Sequence, residues 1–112
     1  VGSRNYTDLT QMSDIIGSLP KDTVIVSGGA PGADSMAEGL AKSHGLETKV
    51  WYADWTSEGR AAGLRRNTKI VGDIQRLIAF MGPEGCTPGT MDTVHKALAA
   101  KIPVAVLFQR EK

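Results

Sequence analysis

The sequence predicts an α/β fold, a sandwich in which helices cover both faces of a mainly parallel sheet of about five strands. Three observations predict it. Short apolar segments alternate with helical periodicities along the 112 residues. The apolar segments are nearly continuous rather than alternating, as in strands buried on both faces. The thirteen glycines gather mainly in segments that follow strands, not in those that precede them.

Each element has its own signal. A first strand, truncated so that it ends at Val1, would lead directly into Gly2-Ser3-Arg4. Leu9, Met12, Ile15, Ile16 and Leu19 then recur at helical spacing, with Thr7 or Asp8 as N-cap. Thr23-Val24-Ile25-Val26 is a β-branched run between Pro20 and Gly28-Gly29 and reads as a buried strand. Ala33, Met36, Ala37, Leu40 and Ala41 mark an amphipathic helix that Gly45 is placed to end. Thr48 to Trp51 reads as a strand with Trp51 in the core, and a helix follows over about 61–71. Leu77 to Phe80 is a strand closed by Gly82-Pro83. Met91, Val94 and Leu98 mark the last helix, and Pro103 to Leu107 the last strand. With right-handed crossovers, the whole is one domain over 1–112, a Rossmann-like three-layer sandwich.

Composition narrows the function. With 41% hydrophobic and 22% charged residues, the chain is neither a disordered tail nor a coiled coil. No apolar run nears the ~20 residues of a membrane span, and no signal peptide is visible. Thirteen basic against twelve acidic residues give +1, which disfavours nucleic acid as a partner. A single cysteine, Cys86, excludes an internal disulfide and a cysteine-built zinc site and fits a cytoplasmic protein.

In a parallel sheet, ligands bind at the edge where the strands end. The segments at that edge are Gly2 to Asn5, GGAPGAD (Gly28 to Asp34), Ala53 to Gly63, and Met81 to Thr90, and they hold nine of the thirteen glycines. Both edges need turns, so turn chemistry alone does not explain the asymmetry. Glycine lets backbone approach a ligand closely, and a following helix offers free N–H groups and a positive dipole end. Gly28, Gly29 and Gly32, and again Gly89 with Thr90, therefore read as phosphate loops. The plain alternative for the first is a tight turn in which Asp34 only caps the helix.

Arg60, Arg65, Arg66 and Lys69 follow the third strand, and Arg65 or Arg66 is placed to reach a phosphate. A solvated helix face is the competing reading. Arg4 directly follows the first strand and has the better position. Asp54 is suited to ribose hydroxyls and Trp55 to stacking on a base, although Trp55 can equally pack its own loop. Asp92 lies in the first turn of a helix, where a carboxylate can serve the dipole alone. His44 and His95 read as surface residues, and Cys86 is not expected to act as a nucleophile.

Taken together, Gly2-Ser3-Arg4, VIVSGGAPGAD (Val24 to Asp34), Ala53-Asp54-Trp55, Ala62-Gly63 with Arg66-Asn67, and Gly89-Thr90 with Asp92 resemble the SLOG superfamily, specifically its YspA-like branch. The resemblance covers nearly the whole chain and implies binding of nucleotides or nucleotide-derived ligands, with roles in phage conflict and stress responses. Related cytokinin-activating phosphoribohydrolases cleave the N-glycosidic bond of nucleoside monophosphates with an arginine and a glutamate. Arg66 matches the arginine. The glutamate's position holds Thr93, and the nearest acid, Asp92, lies one residue early, about 100° away around a helix. The related DNA-processing protein A family binds single-stranded DNA, which the near-zero charge disfavours.

The expectation is thus a cytoplasmic, homodimeric domain that binds a nucleotide-derived small molecule and uses no cofactor or metal. Gly2, Ser3, Arg4, Gly28, Gly29, Gly32, Asp34, Asp54, Trp55, Arg66, Asn67, Gly89 and Thr90 form the site. Arg66 and Asp92 are the catalytic pair if the ligand is hydrolysed. A protein-interaction module is the remaining alternative.

Overall fold

The helices form where local sequence rules place them. The structure, a computed structural model, describes residues 1–85 and 87–110, so the expectations for Cys86 lie outside the described residues. Helix α1 (Leu9–Gly17) is capped by Asp8, whose carboxylate accepts from the Gln11 amide at 3.0 Å. The Arg110 guanidinium reaches both Asp8 oxygens at 3.0 Å. Those bonds, with the Gln11 amide, hold the Asp8 carboxyl well below the usual range. Helix α2 spans Ala33–Ser43, α3 is one turn at Trp55–Glu58, and α4 covers Ala62–Val71 after a 3₁₀ turn. Helix α5 (Pro88–Ala99) has Thr87 as N-cap and proline in its first turn, where a missing N–H costs nothing.

Strands β1 (Val24–Ser27), β2 (Glu47–Val50), β3 (Leu77–Met81) and β4 (Val104–Phe108) lie within a residue of their expected positions. Their assembly corrects the expected fold class. The four strands form two separate two-stranded parallel sheets, β1–β2 and β3–β4, rather than one sheet of about five. The segment Val1–Ser3 pairs with β3 alone, through a single parallel bridge of Gly2 to Phe80. It does not link β3 to β1, so the two sheets stay apart and the expected first strand is reduced to this bridge.

The backbone shows what lies between the sheets. In a parallel ladder the N–H and C=O of one residue point to the same side, and successive residues alternate. The Trp51 amide donates to the Ser27 carbonyl at 2.8 Å, so Ile25 and Ser27 face β2 while Val24 and Val26 face away. The Leu77 amide donates to Pro103, which directs Leu77 and Ala79 toward β4 and Ile78 and Phe80 away from it. The Val1 amine bonds the Ile78 carbonyl at 3.1 Å, and Phe80 exchanges bonds with Val1 and Ser3. Between the free edge of β1 and the edge of β3 that Val1–Ser3 partly covers lies a cavity of about 880 Å³, lined in part by Val24, Val26, Ile78 and Phe80. Val24 is consequently 45% exposed despite its apolar, β-branched character.

The core divides accordingly. Tyr6, Met12, Ile16, Ala33, Ala41, Leu46 and Phe80 form one cluster, which joins α1 and α2 to one face of β3. Val71, Leu77, Ala79, Met81, Val94 and Ala97 form the other, under α4 and α5. Trp51, expected in the core, is half-buried instead: its indole donates to Asp73 at 2.9 Å beneath the Lys49 ammonium. Among the described residues, no helix is long and apolar enough to cross a membrane.

Hydrogen exchange should resolve these edges residue by residue. The Ile25 and Ala79 amides, bonded inside their ladders, are expected to exchange at least tenfold more slowly than those of Val24, Val26 and Ile78. Equal protection across the five would refute the open edges.

Candidate functional site

The loops that follow the strands meet through specific bonds. Ser3, fully buried, is a junction: its Oγ donates to the Gly85 carbonyl at 3.0 Å and accepts from the Gly82 amide at 3.1 Å. Its carbonyl accepts from Ala33 at the start of α2. The Arg4 backbone covers Gly32, which has φ +86°, so that any side chain there would overlap it. Gly2, Ser3, Arg4 and Gly32 thus build a structural knot. Asp34 belongs to it, since its buried carboxylate accepts from the Ala30 amide at 3.2 Å. Asp34 therefore braces the GGAPGAD loop from within, whereas the N-cap of α2 is Gly32 and no side chain caps that helix.

The other half of that loop forms a floor. Ser27 donates through Oγ to Glu38 and accepts from the Gly29 amide at 3.1 Å, which fixes the loop as it leaves β1. The amides of Gly29, Ala30 and Ala33 are therefore committed within the chain, which leaves fewer backbone donors for a phosphate than the glycine count suggested. Across the floor lies Arg66. Its Nη1 donates to the Gly28 carbonyl, and its Nε donates to Asn67 Oδ1 at 3.0 Å. A β-carbon at Gly28 would sit 2.7 Å from Nη1, so the guanidinium rests against the bare glycine.

Asn67, buried, turns this into a chain of polar groups. Its Nδ2 donates to the Gly89 carbonyl at 3.2 Å and to Asp92 Oδ2 at 3.1 Å. Lys96, one turn along α5, bonds the same Asp92 oxygen at 2.7 Å. Burial raises the Asp92 pKa, but the bonds from Lys96 and Asn67 outweigh it, and the carboxyl lies below its usual range. Thr90 is buried beside its cap Thr87, whereas Gly89 is exposed and faces open space. Gly28, Arg66, Asn67, Gly89 and Asp92 are thus joined by hydrogen bonds, with Thr90 next to Gly89 in the chain. Thr93 is buried and donates to the Gly89 carbonyl at 3.3 Å.

The remaining candidates lie at the far end of the floor or outside it. Asp54 caps α3 by accepting from the Ser57 amide at 3.1 Å, and that bond lowers its pKa. Trp55 is exposed and leans on Gly63. Arg65 faces away, paired with Glu58 at 3.1 Å on the surface. Three participants escaped the sequence reading. Tyr52 lies against Gly29, Glu38 holds Ser27, and Lys96 neutralises Asp92. Of these, Lys96 carried a legible signal: it lies four residues after an acid on a helix.

The Asp92 shift makes a pH prediction. A carboxyl with a folded pKa below its unfolded value of about 3.9 stabilises the fold fully above that pH. The contribution disappears as the pH falls through the folded value. Thermal midpoints from pH 5 down to pH 2 are therefore expected to fall less steeply in Asp92→Asn than in the wild type, with the two curves converging in acid.

No protein-family model and no solved structure matches the chain. The Gene 61 protein of Mycobacterium phage D29 is 33% identical to it over 113 aligned positions, which cover 92% of this chain and 89% of the phage protein. At that identity and coverage, the chain belongs to the family of the phage D29 Gene 61 protein.

Proposed function

We propose that the chain binds a nucleotide or nucleotide-derived ligand where its loops meet, as a sensor or processing domain of the SLOG type. One observation carries this reading: Arg66 is laid on the Gly28 backbone and held there by Asn67, within two hydrogen bonds of the start of α5. Its Nε and Nη1 are occupied, and Nη2 makes no bond among the described residues. A pre-oriented guanidinium beside a helix N-terminus offers a phosphate charge-assisted bonds at little entropic cost. Gly89 leaves the α5 end uncovered. The ordered motif set shared with the YspA-like branch supports the same reading.

Titration calorimetry against AMP, ADP-ribose, NAD and cyclic dinucleotides tests it, with binding of at least one in the micromolar range expected. No heat with any of them refutes it. Light scattering of the same samples tests the homodimer that the resemblance implies.

The link from Arg66 through Asn67 to Asp92 favours a second reading, N-glycosidic hydrolysis. A water oxygen would bond C1′ as the C1′–N bond breaks, and a water proton would pass to the leaving base. An Asp92 held ionised by Lys96 suits stabilisation of the oxocarbenium-like transition state, not proton donation. Release of free base from AMP that is lost in Asp92→Asn is the expected sign; full activity in that variant removes Asp92 from the chemistry.

A further inference from the structure

Tyr52 and Trp55 are two of the most exposed large side chains in the described structure, at 72% and 61%. They are not scattered. A β-carbon at Gly29 would lie 2.7 Å from Tyr52 Cε1, and one at Gly63 would lie 3.3 Å from Trp55 Cη2. The same Gly63 position is 3.9 Å from Arg66 Nη2, and the Gly28 position is 2.7 Å from Nη1. Tyr52, Gly29, Gly28, Arg66, Gly63 and Trp55 therefore form one continuous line: ring, bare backbone, guanidinium, bare backbone, ring. A side chain at any of the three glycines would crowd either a ring or the cation.

We infer that Tyr52 and Trp55 are the base-recognising residues of this site, taking the flat face of a heteroaromatic base while Arg66 takes the phosphate. The inference rests on the nucleotide-binding reading and adds to it what distinguishes a nucleotide from a sugar phosphate. Both rings are mostly in water, so covering them with a π-surface gains hydrophobic burial as well as stacking. Each ring is already positioned by backbone packing, which keeps the ordering cost low. Asp54, next to Trp55 in the chain, has a carboxylate oxygen committed to the Ser57 amide. Recognition by stacking reads area, not the hydrogen-bonding edge of the base. The site therefore accepts adenine and guanine alike and holds uracil less tightly.

Calorimetric titration of AMP, GMP, UMP and ribose 5-phosphate into the wild type and into Tyr52→Ala, Tyr52→Phe and Trp55→Ala tests this. Each alanine variant is expected to weaken AMP by roughly 5- to 100-fold, while ribose 5-phosphate changes by less than about twofold and Tyr52→Phe retains AMP affinity. AMP and GMP should agree within about threefold in the wild type. Tryptophan emission quenched by AMP in the wild type, with the quenching lost in Trp55→Phe, places the base on that indole. Both residues are exposed, and unchanged thermal midpoints will confirm that the variants fold. If alanine variants hold AMP as the wild type does, or ribose 5-phosphate binds the wild type as tightly as AMP, base recognition by these rings is overturned while the phosphate site stands. If the wild type binds none of the four ligands, the ring assignment fails, and the nucleotide-binding reading fails with it only when ADP-ribose, NAD and the cyclic dinucleotides also give no heat.

Discussion

Replacing Phe80 by alanine is expected to destabilise the protein by about 3–5 kcal/mol, the range for deleting a buried aromatic ring. Phe80 is 5% exposed, and its ring packs on Tyr6 at 5.3 Å between centroids, tilted by 57°. It belongs to β3, yet its side chain lies in the cluster built by α1 and α2. The ring therefore ties the β3–β4 half of the molecule to the α1–α2 half, across the gap where the two sheets fail to join. Its loss leaves a cavity at a junction that has no strand pairing in reserve. In a domain of about this size, each kcal/mol shifts the melting temperature by roughly 4–8 °C, so a drop of more than ~12 °C is expected by calorimetry. Phe108→Ala is the control. That ring is 60% exposed on β4, and its removal should cost no more than about 0.5 kcal/mol. Comparable losses in the two variants would refute the coupling role given to Phe80.

Arg66→Ala is expected to weaken AMP binding by roughly 10- to 150-fold, which corresponds to about 1.5–3 kcal/mol for a charge-assisted hydrogen bond. Arg66→Lys should recover only part of this. A lysine keeps the charge but has no planar fork to reach Gly28, Asn67 and a phosphate at once. Gly28→Val offers an independent route to the same result, because its side chain would stand where Nη1 lies. Calorimetry with AMP reads all three variants. Wild-type affinity in Arg66→Ala would remove the residue on which the functional reading rests.

Much of this molecule was legible in local pattern. Asp8 is an N-cap because an acid precedes the apolar periodicity of α1. The strands at Val24–Ser27 and Leu77–Met81 follow from apolar runs ended by glycine. What failed was the joining of strands into a sheet, which depends on partners far apart in sequence. Val24, Ile25 and Val26 read as buried on both faces because their composition says nothing about whether a neighbour is present. Trp51 failed for a related reason, as a large ring at a strand end is satisfied by Asp73 and Lys49 at the surface. Within the site, glycine counting overreached. Gly28, Gly29 and Gly32 are each pressed by a group of the chain itself, Arg66, Tyr52 and Arg4 respectively. Helix phase was a better guide. Arg66 lies four residues from both Ala62 and Ile70, which are buried, so it shares their inward face, whereas Arg65 is turned out to Glu58.

The cavity between β1 and β3 also governs how these molecules behave toward one another at high concentration. Its β1 wall is a strand edge on which the backbone groups of Val24 and Val26 have no strand partner among the described residues, whereas the β3 wall is partly covered by Val1–Ser3 and leaves the Ile78 amide open. Natural proteins normally shield such edges with charge, proline or a bulge, and Val24, Val26 and Ile78 supply none of these. An extended apolar segment of about four residues, roughly 13 Å long, would satisfy the β1 wall in one step. A partly unfolded neighbour carries several such segments. Self-association should therefore start with strand capture at this slot and show a lag that shortens with concentration, while the rim and its arginine remain untouched.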